Sequence, residues 1–224
     1  MLIIAFDTAT PAVTVALHDG SDLLAMQTTV DSRRHGELLA PAIAKVLAAA
    51  GAAPADLTAV AVGTGPGPYT GLRASLVTAR VLGSALQVRV DGICTLDVIA
   101  EQARQAAAGR DFLVATDARR REVYWASYSA AGERLTGPAV GRPADLPAGY
   151  PIAGQGPRLH EEPEAGWELI DPVFPDAAVL ALMAAGRIAA GVQAEPPQPL
   201  YLRRPDAREP GRPKRVTPVS AVTK

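Results

Sequence analysis

The chain has 224 residues, 48% of them hydrophobic, and a formal net charge of −1. That length and composition support a sizeable core and exclude an intrinsically disordered chain. The near-zero charge gives no bulk attraction to nucleic acid or membrane, and a single cysteine, Cys94, excludes an internal disulfide.

The opening "MLIIAFDTAT" has no basic leader, and its apolar run stops at Asp7. No stretch reaches 18 apolar residues, so neither a signal peptide nor a membrane anchor is expected, and a cytoplasmic location is. Residues 2–6 read as a buried strand. "AVTVALHDG" (12–20) alternates Val13, Val15 and Leu17 and reads as a second strand closed by Asp19-Gly20, and "DLLAMQTTV" (22–30) as a third. The spacing in 35–51 predicts a helix with Gly51 as its stop and Pro41 in its first turns. "LTAVAVG" predicts a strand, 70–86 a helix, "QVRVDGI" a short strand and 95–108 a further helix. Cys94 sits among apolar neighbours and reads as a small buried hydrophobe rather than a nucleophile.

"FLVATDARRREVYWASYSAAGERL" (112–135) repeats the opening: strand, Asp corner, strand, turn, strand. Val13 follows Asp7 by six residues, and Val123 follows Asp117 by six. "VAVGTGP" (60–66) and "YPIAGQGP" (150–157) both end a strand with Gly-x-Gly-Pro. Asp7 to Gly63 spans 56 residues and Asp117 to Gly154 spans 37, a difference close to the length of the 35–51 helix. These matches predict two related α/β halves of βββαβα type, 1–108 and 109–202, the second shortened by that helix. A ligand cleft is expected between them, with Asp7 and Asp117 facing across it. The second half is expected to end in a helix over 176–191. From residue 203 to residue 224 the chain carries seven basic and two acidic residues, and reads as a basic, loose tail.

The elbow "GTGPGPYTG" packs four glycines and two prolines into nine residues, Gly63 to Gly71. Thr70 is a candidate N-cap for the helix that follows. The elbow is neither G-x-x-x-x-G-K-[ST] nor a clean G-x-G-x-x-G, so a phosphate cradle is chemically thin. G-x-S-x-G is absent. His18, His35 and His160 include no H-x-x-x-H pair, so no metal site is expected. His35 reads as a capping or surface residue. Asp7 and Asp117 could hold a hydrated metal and a phosphate, or simply form turns.

In 35–51, Leu39, Ile43 and Val46 mark one apolar stripe, with Leu38 and Ala42 beside it. In 70–86, Leu72, Leu76, Ala79 and Gly83 form one stripe, and Val77, Val81 and Ser84 its neighbour. Stripes this wide suggest either a subunit interface or helices buried deeper than usual.

"IIAFDTATPAVTVAL", "RRHGELLAPAI", "VGTGPGPYTGLRASLVTAR", "DARRREVYWASY" and "PLYLRRPDA" resemble the bacterial TsaB/YeaZ family of tRNA threonylcarbamoyladenosine biosynthesis proteins. The resemblance runs from Met1 to about Asp206, and "GTGPGPYTGLR" is its most specific piece. It implies an actin/Hsp70-like (ASKHA) duplicated fold. It also implies a noncatalytic subunit that dimerises with the catalytic TsaD subunit and works with the TsaE ATPase. That complex transfers threonylcarbamoyl to N6 of adenosine 37 in tRNAs reading ANN codons. The catalytic paralogue carries an H-x-x-x-H pair after the strand matching 88–93; here "VRVDGICTLDVIAEQ" has no histidine.

By the same resemblance, helices 35–51 and 70–86 build the heterodimer contact. The interface residues expected are Leu38, Leu39, Ala42, Ile43, Val46, Tyr69, Thr70, Leu72, Arg73, Leu76, Ala79, Arg80 and Gly83. Glutamate at Leu72 or Leu76 should then break association and leave the chain folded. Asp7, Gly65, Gly67 and Asp117 are expected near a nucleotide, with ATP or ADP at the interface and none held tightly by this chain. A weak homodimer is expected without the partner, and tRNA contact through the complex. The competing readings are a stand-alone actin-like ATPase or kinase, a peptidase, and a tRNA-binding module using Arg119, Arg120, Arg121 and the tail.

Overall fold

The computed structural model describes residues 1–159 and 167–203; His160 and the basic tail beyond residue 203 lie outside the described residues. The chain begins with a meander, β1 (Ile3–Asp7), β2 (Ala12–His18) and β3 (Leu23–Val30). It continues through α1 (His35–Ala49), β4 (Ala59–Gly63), α2 (Tyr69–Leu86), β5 (Arg89–Ile93) and α3 (Thr95–Ala103). A second meander follows, β6 (Phe112–Asp117), β7 (Val123–Tyr128) and β8 (Arg134–Gly141). It leads to β9 (Pro151–Ala153), α4 (Gly156–Leu159), β10 (Glu168–Leu169) and α5 (Ala177–Ala189).

The two sheets repeat one topology. The first has the order β3-β2-β1-β4-β5 and the second the mirrored list β10-β9-β6-β7-β8. In each, the meander is antiparallel, and its first strand, β1 or β6, pairs in parallel with the first strand after the meander, β4 or β9. This is the duplicated actin/Hsp70-like α/β fold. Between β8 and β9, where the first half has α1, stands only a three-residue 3-10 turn, Pro143–Asp145.

Alternation along the strands decides which side each helix covers. On the first sheet Ile4, Phe6, Val13, Val15, Val60 and Val62 pack under α1 and α2. The other side, Ile3, Ala5, Ala16, Ala59 and Ala61, is covered by Leu180, Ala181 and Ala184 of α5. On the second sheet Phe112, Val114, Ala126 and Tyr128 receive Leu96, Ile99 and Ala103 of α3. Each half's last helix thus covers the other half's sheet, and α3 and α5 touch in a shared middle layer. The alanines at Ala5, Ala59 and Ala61 let α5 approach the strands closely.

Several boundaries follow from local chemistry. Asp176 caps α5 by accepting the Ala178 amide at 2.7 Å. α1 runs through Pro41 and stops before Gly51, whose φ is +65°. α3 is shorter than the expected 95–108 and ends at Ala103. Ala108 and Gly109 beyond it take left-handed conformations that no helix continues.

Candidate functional site

The corner at the end of β1 and the elbow after β4 form one closed unit. Asp7 is fully buried; its Oδ1 accepts the Ala9 amide at 2.6 Å and its Oδ2 accepts the Thr95 hydroxyl at 2.6 Å. Burial raises its pKa, against the opposing effect of those hydrogen bonds. Gly63 lies directly beneath this carboxylate, and any Cβ there would overlap it. The Gly65 amide donates to Thr95 Oγ1 at 3.1 Å, and the Gly65 carbonyl accepts the Thr95 amide at 2.8 Å. Gly67 is pressed against the Ala9 carbonyl, with no room for a side chain. Thr8 Oγ1 donates to the Gly71 carbonyl at 2.7 Å. The chain's own atoms occupy the elbow, which turns β4 into α2.

Three expectations change here. Thr70 is not a cap: α2 starts at Tyr69 behind Pro68, with no side-chain cap. Pro68 sets the entry, and Thr70 is exposed. His35 is neither a cap nor a surface residue. It is buried, and its Nε2 lies 2.8 Å from the Thr10 carbonyl, tying α1 to the β1–β2 corner. Asp7 and Asp117 do not face one another. Asp7 continues the side of β1 that carries Ile3 and Ala5, covered by α5. Asp117 continues the opposite side of its sheet, with Leu113 and Ala115.

The ladders explain this. Thr14, not Val13, stands opposite Asp7, whereas Val123 stands opposite Asp117. The six-residue spacing therefore aligned the halves one residue out of step, and a one-residue slip exchanges the two faces of a strand.

Asp117 accepts the Arg119 amide at 2.7 Å, the same turn that Asp7 makes with Ala9. It lines an open cleft of about 470 Å³ with Pro11, Asp31, Arg33, Arg119 and Gln155. Of the four residues expected near a nucleotide, Asp117 alone borders this cleft. Arg119, Arg120 and Arg121 form a tight left-handed corner, with φ values of 61°, 57° and 60°. Cys94 is buried, and burial pushes its thiol up to about 12, far from a nucleophile's range. Among the described residues no cluster of three His, Cys, Asp or Glu side chains could share a metal ion. Among them, too, no helix is long and apolar enough to cross a membrane.

The apolar stripes of α1 and α2 divide between core and surface. Leu39, Ala42, Ile43, Val46, Leu72, Leu76, Ala79 and Gly83 are buried against the chain's own first sheet. They pack with Ile4, Phe6, Val13, Val15, Val60 and Val62 of that sheet, so these residues are core, and the expectation that they face a partner is corrected. Gly83 admits the side chain of Val90, not a partner helix. Leu38 is half-buried. Tyr69, Thr70, Arg73 and Arg80 are exposed, and the neighbouring stripe lies fully outside, with Val77 57% and Val81 60% exposed. Val77 and Val81 belong to the second apolar stripe of the sequence, which the expected interface residues do not include.

A family model described as TsaD, tRNA N6-adenosine threonylcarbamoyltransferase, matches residues 26–222. An uncharacterised protein of Mycobacterium tuberculosis is 45% identical, over 92% of this chain and 93% of its own length. The TsaB protein of Escherichia coli, a tRNA threonylcarbamoyladenosine biosynthesis protein, is 35% identical; that match spans 57% of this chain and 55% of TsaB. Among solved structures, YeaZ from Pseudomonas aeruginosa superposes with a TM-score of 0.74 at 29% identity, covering 90% of this chain and 99% of that one.

Proposed function

The chain belongs to the TsaB/YeaZ family, and from that premise we propose that it takes part in the biosynthesis of threonylcarbamoyladenosine in tRNA. In this reading it is a noncatalytic subunit. It docks the catalytic TsaD subunit on the outer surface of α1 and α2 and meets TsaE and tRNA only through the assembled complex. A nucleotide, where one enters, sits at the subunit boundary and not in the elbow.

The observation that carries the reading is the occupation of the elbow. Its most family-specific residues are closed by Asp7, Ala9, Thr8 and Thr95, and what they present to solvent is α2. The surface of that helix exposes Tyr69, Val77 and Val81. Exposed apolar side chains on one helix face suit a protein partner. The same surface self-associates weakly when TsaD is absent.

Substitution on the two stripes tests this. Val77→Glu and Val81→Glu change the outer stripe and should abolish co-elution with TsaD while leaving the melting temperature close to that of the parent chain. Leu72→Glu places a carboxylate where exposure is 0% and should unfold the chain, because a buried, unpaired charge costs several kcal/mol. Normal co-elution of a double Val77→Glu, Val81→Glu chain would refute the docking surface.

A further inference from the structure

Beyond α5 the chain returns along the elbow and α2. The Gly92 amide donates to the Glu195 carbonyl at 3.0 Å, and the Leu200 amide donates to the Thr64 carbonyl at 2.9 Å. Arg80 Nη2 donates to the Pro197 carbonyl at 2.8 Å. The Tyr201 ring stacks on Tyr69, with centroids 5.6 Å apart and planes 25° from parallel. Arg73 joins them: its Nε donates to the Tyr201 hydroxyl at 3.2 Å, and its guanidinium carbon lies 3.8 Å from the Tyr69 ring centre. Arg203 donates to the Ala118 carbonyl at 3.0 Å and pairs with Glu122. Residues 195–203 are thus a fitted arm, held by both halves.

Tyr69, Arg73, Val77 and Val81 follow one another at four-residue spacing, so they form one ridge along α2. The arm runs beside its first turns, and Tyr69 and Tyr201 remain 52% and 45% exposed. Tyrosine and arginine are the residue types that most often dominate binding energy at interfaces. Here their geometry is set before any partner arrives, which reduces the ordering cost of association. Charge narrows the choice of partner. α2 contains two arginines and no carboxylate, and within the described chain Arg73 and Arg80 donate to a phenol and a carbonyl, both neutral. A second copy would bring this cationic ridge against its like, which keeps self-association weak.

We propose that the arm, through Tyr201, and the ridge Tyr69–Arg73–Val77–Val81 form a single docking face for a protein surface that is apolar opposite the valines and acidic opposite Arg73 and Arg80. The inference rests on the reading that TsaD docks on α1 and α2, and it assigns the acidic groups to TsaD. Tyr201 then anchors the partner from outside the two helices.

The affinity of the full-length chain for TsaD, measured by titration calorimetry at low and high salt, tests this. Tyr201→Ala should weaken binding by about tenfold or more, the size expected of an interface hot spot. Arg73→Gln with Arg80→Gln should weaken it similarly and flatten its salt dependence. Tyr201→Phe, which keeps the stack, should stay within about threefold of the parent. Thermal denaturation of each variant identifies any loss that comes from unfolding, and Tyr201→Phe with the arginine pair carries the test if Tyr201→Ala unfolds. Parent-like binding by Tyr201→Ala and by the arginine pair, with Val77→Glu still defective, would overturn the arm's role and leave the α1/α2 reading intact. Parent-like binding by Val77→Glu as well would overturn that reading too. Tighter binding by Tyr201→Ala would mean that the arm competes with the partner, and would also overturn the proposal. If the arginine pair impairs only self-association, the ridge belongs to a second copy.

Discussion

Asp7 is a carboxyl group without solvent, held by one amide and one hydroxyl. Burial outweighs both bonds and raises its pKa, so the folded chain binds this proton more tightly than the unfolded chain, whose carboxyl titrates near pH ~4. The Asp7 contribution to stability is therefore most favourable below that pH. It declines as pH rises from the unfolded toward the folded pKa, and is level above it. Asp97, also raised by burial, acts with the same sign, so the comparison that isolates Asp7 is the parent chain against Asp7→Asn. Urea denaturation across pH 4 to 7 should show the stability of Asp7→Asn gaining on the parent as pH rises. A gap independent of pH would show that Asp7 is not the titrating group. Beneath it, Gly63→Ala forces a methyl into the carboxylate and should cost about 1–3 kcal/mol, read as a lower urea midpoint. At this scale the sequence marked the right corner and missed its occupation. Nothing in "AFDTAT" shows that Thr95, 88 positions away, closes on Asp7, and the near-repeat around Asp117 hid a one-residue shift of face.

At the scale of the element, α1 and α2 show what periodicity can and cannot decide. Their bounds were legible, because apolar spacing and the elbow fixed where α2 begins, and Gly51 fixed where α1 ends. Their faces were not, since Leu72–Leu76–Ala79 and Val77–Val81 are both apolar rows on one cylinder and the width of the sheet decides which is core. The structure gives the first row to the sheet and the second to solvent. Hence glutamate at Leu72 and glutamate at Val77 should have opposite signatures: lost folding with the first, lost association with the second. The arm shows the converse. "PPQPLYLRRPD" has no helical or strand period, so nothing local predicts its contacts, which come from distant partners such as Thr64 and Tyr69.

Across the whole molecule, the duplication was readable because each half keeps the order strand, Asp corner, strand, turn, strand. The exchange of terminal helices was not, because an apolar helix carries no label for the sheet it covers. The exchange has a consequence. Leu180 belongs to the second half by sequence, yet it is fully buried against the first sheet. Leu180→Ala should cost about 2–5 kcal/mol and should speed amide exchange in β1 and β2 more than in β6 and β7. Faster exchange confined to β6 and β7 would contradict the shared middle layer. The halves interlock in this way, the elbow is closed by the chain's own atoms, and an apolar ridge lies outside on α2.

The most direct measurement is light scattering on a size-exclusion column, applied to the chain mixed with TsaD and coupled to an assay of tRNA threonylcarbamoylation on the same fractions. The account predicts a 1:1 species, with modification dependent on it and no turnover by the chain alone. Two separate peaks with undiminished modification, or catalysis by the isolated chain that Asp7→Asn removes, would contradict it.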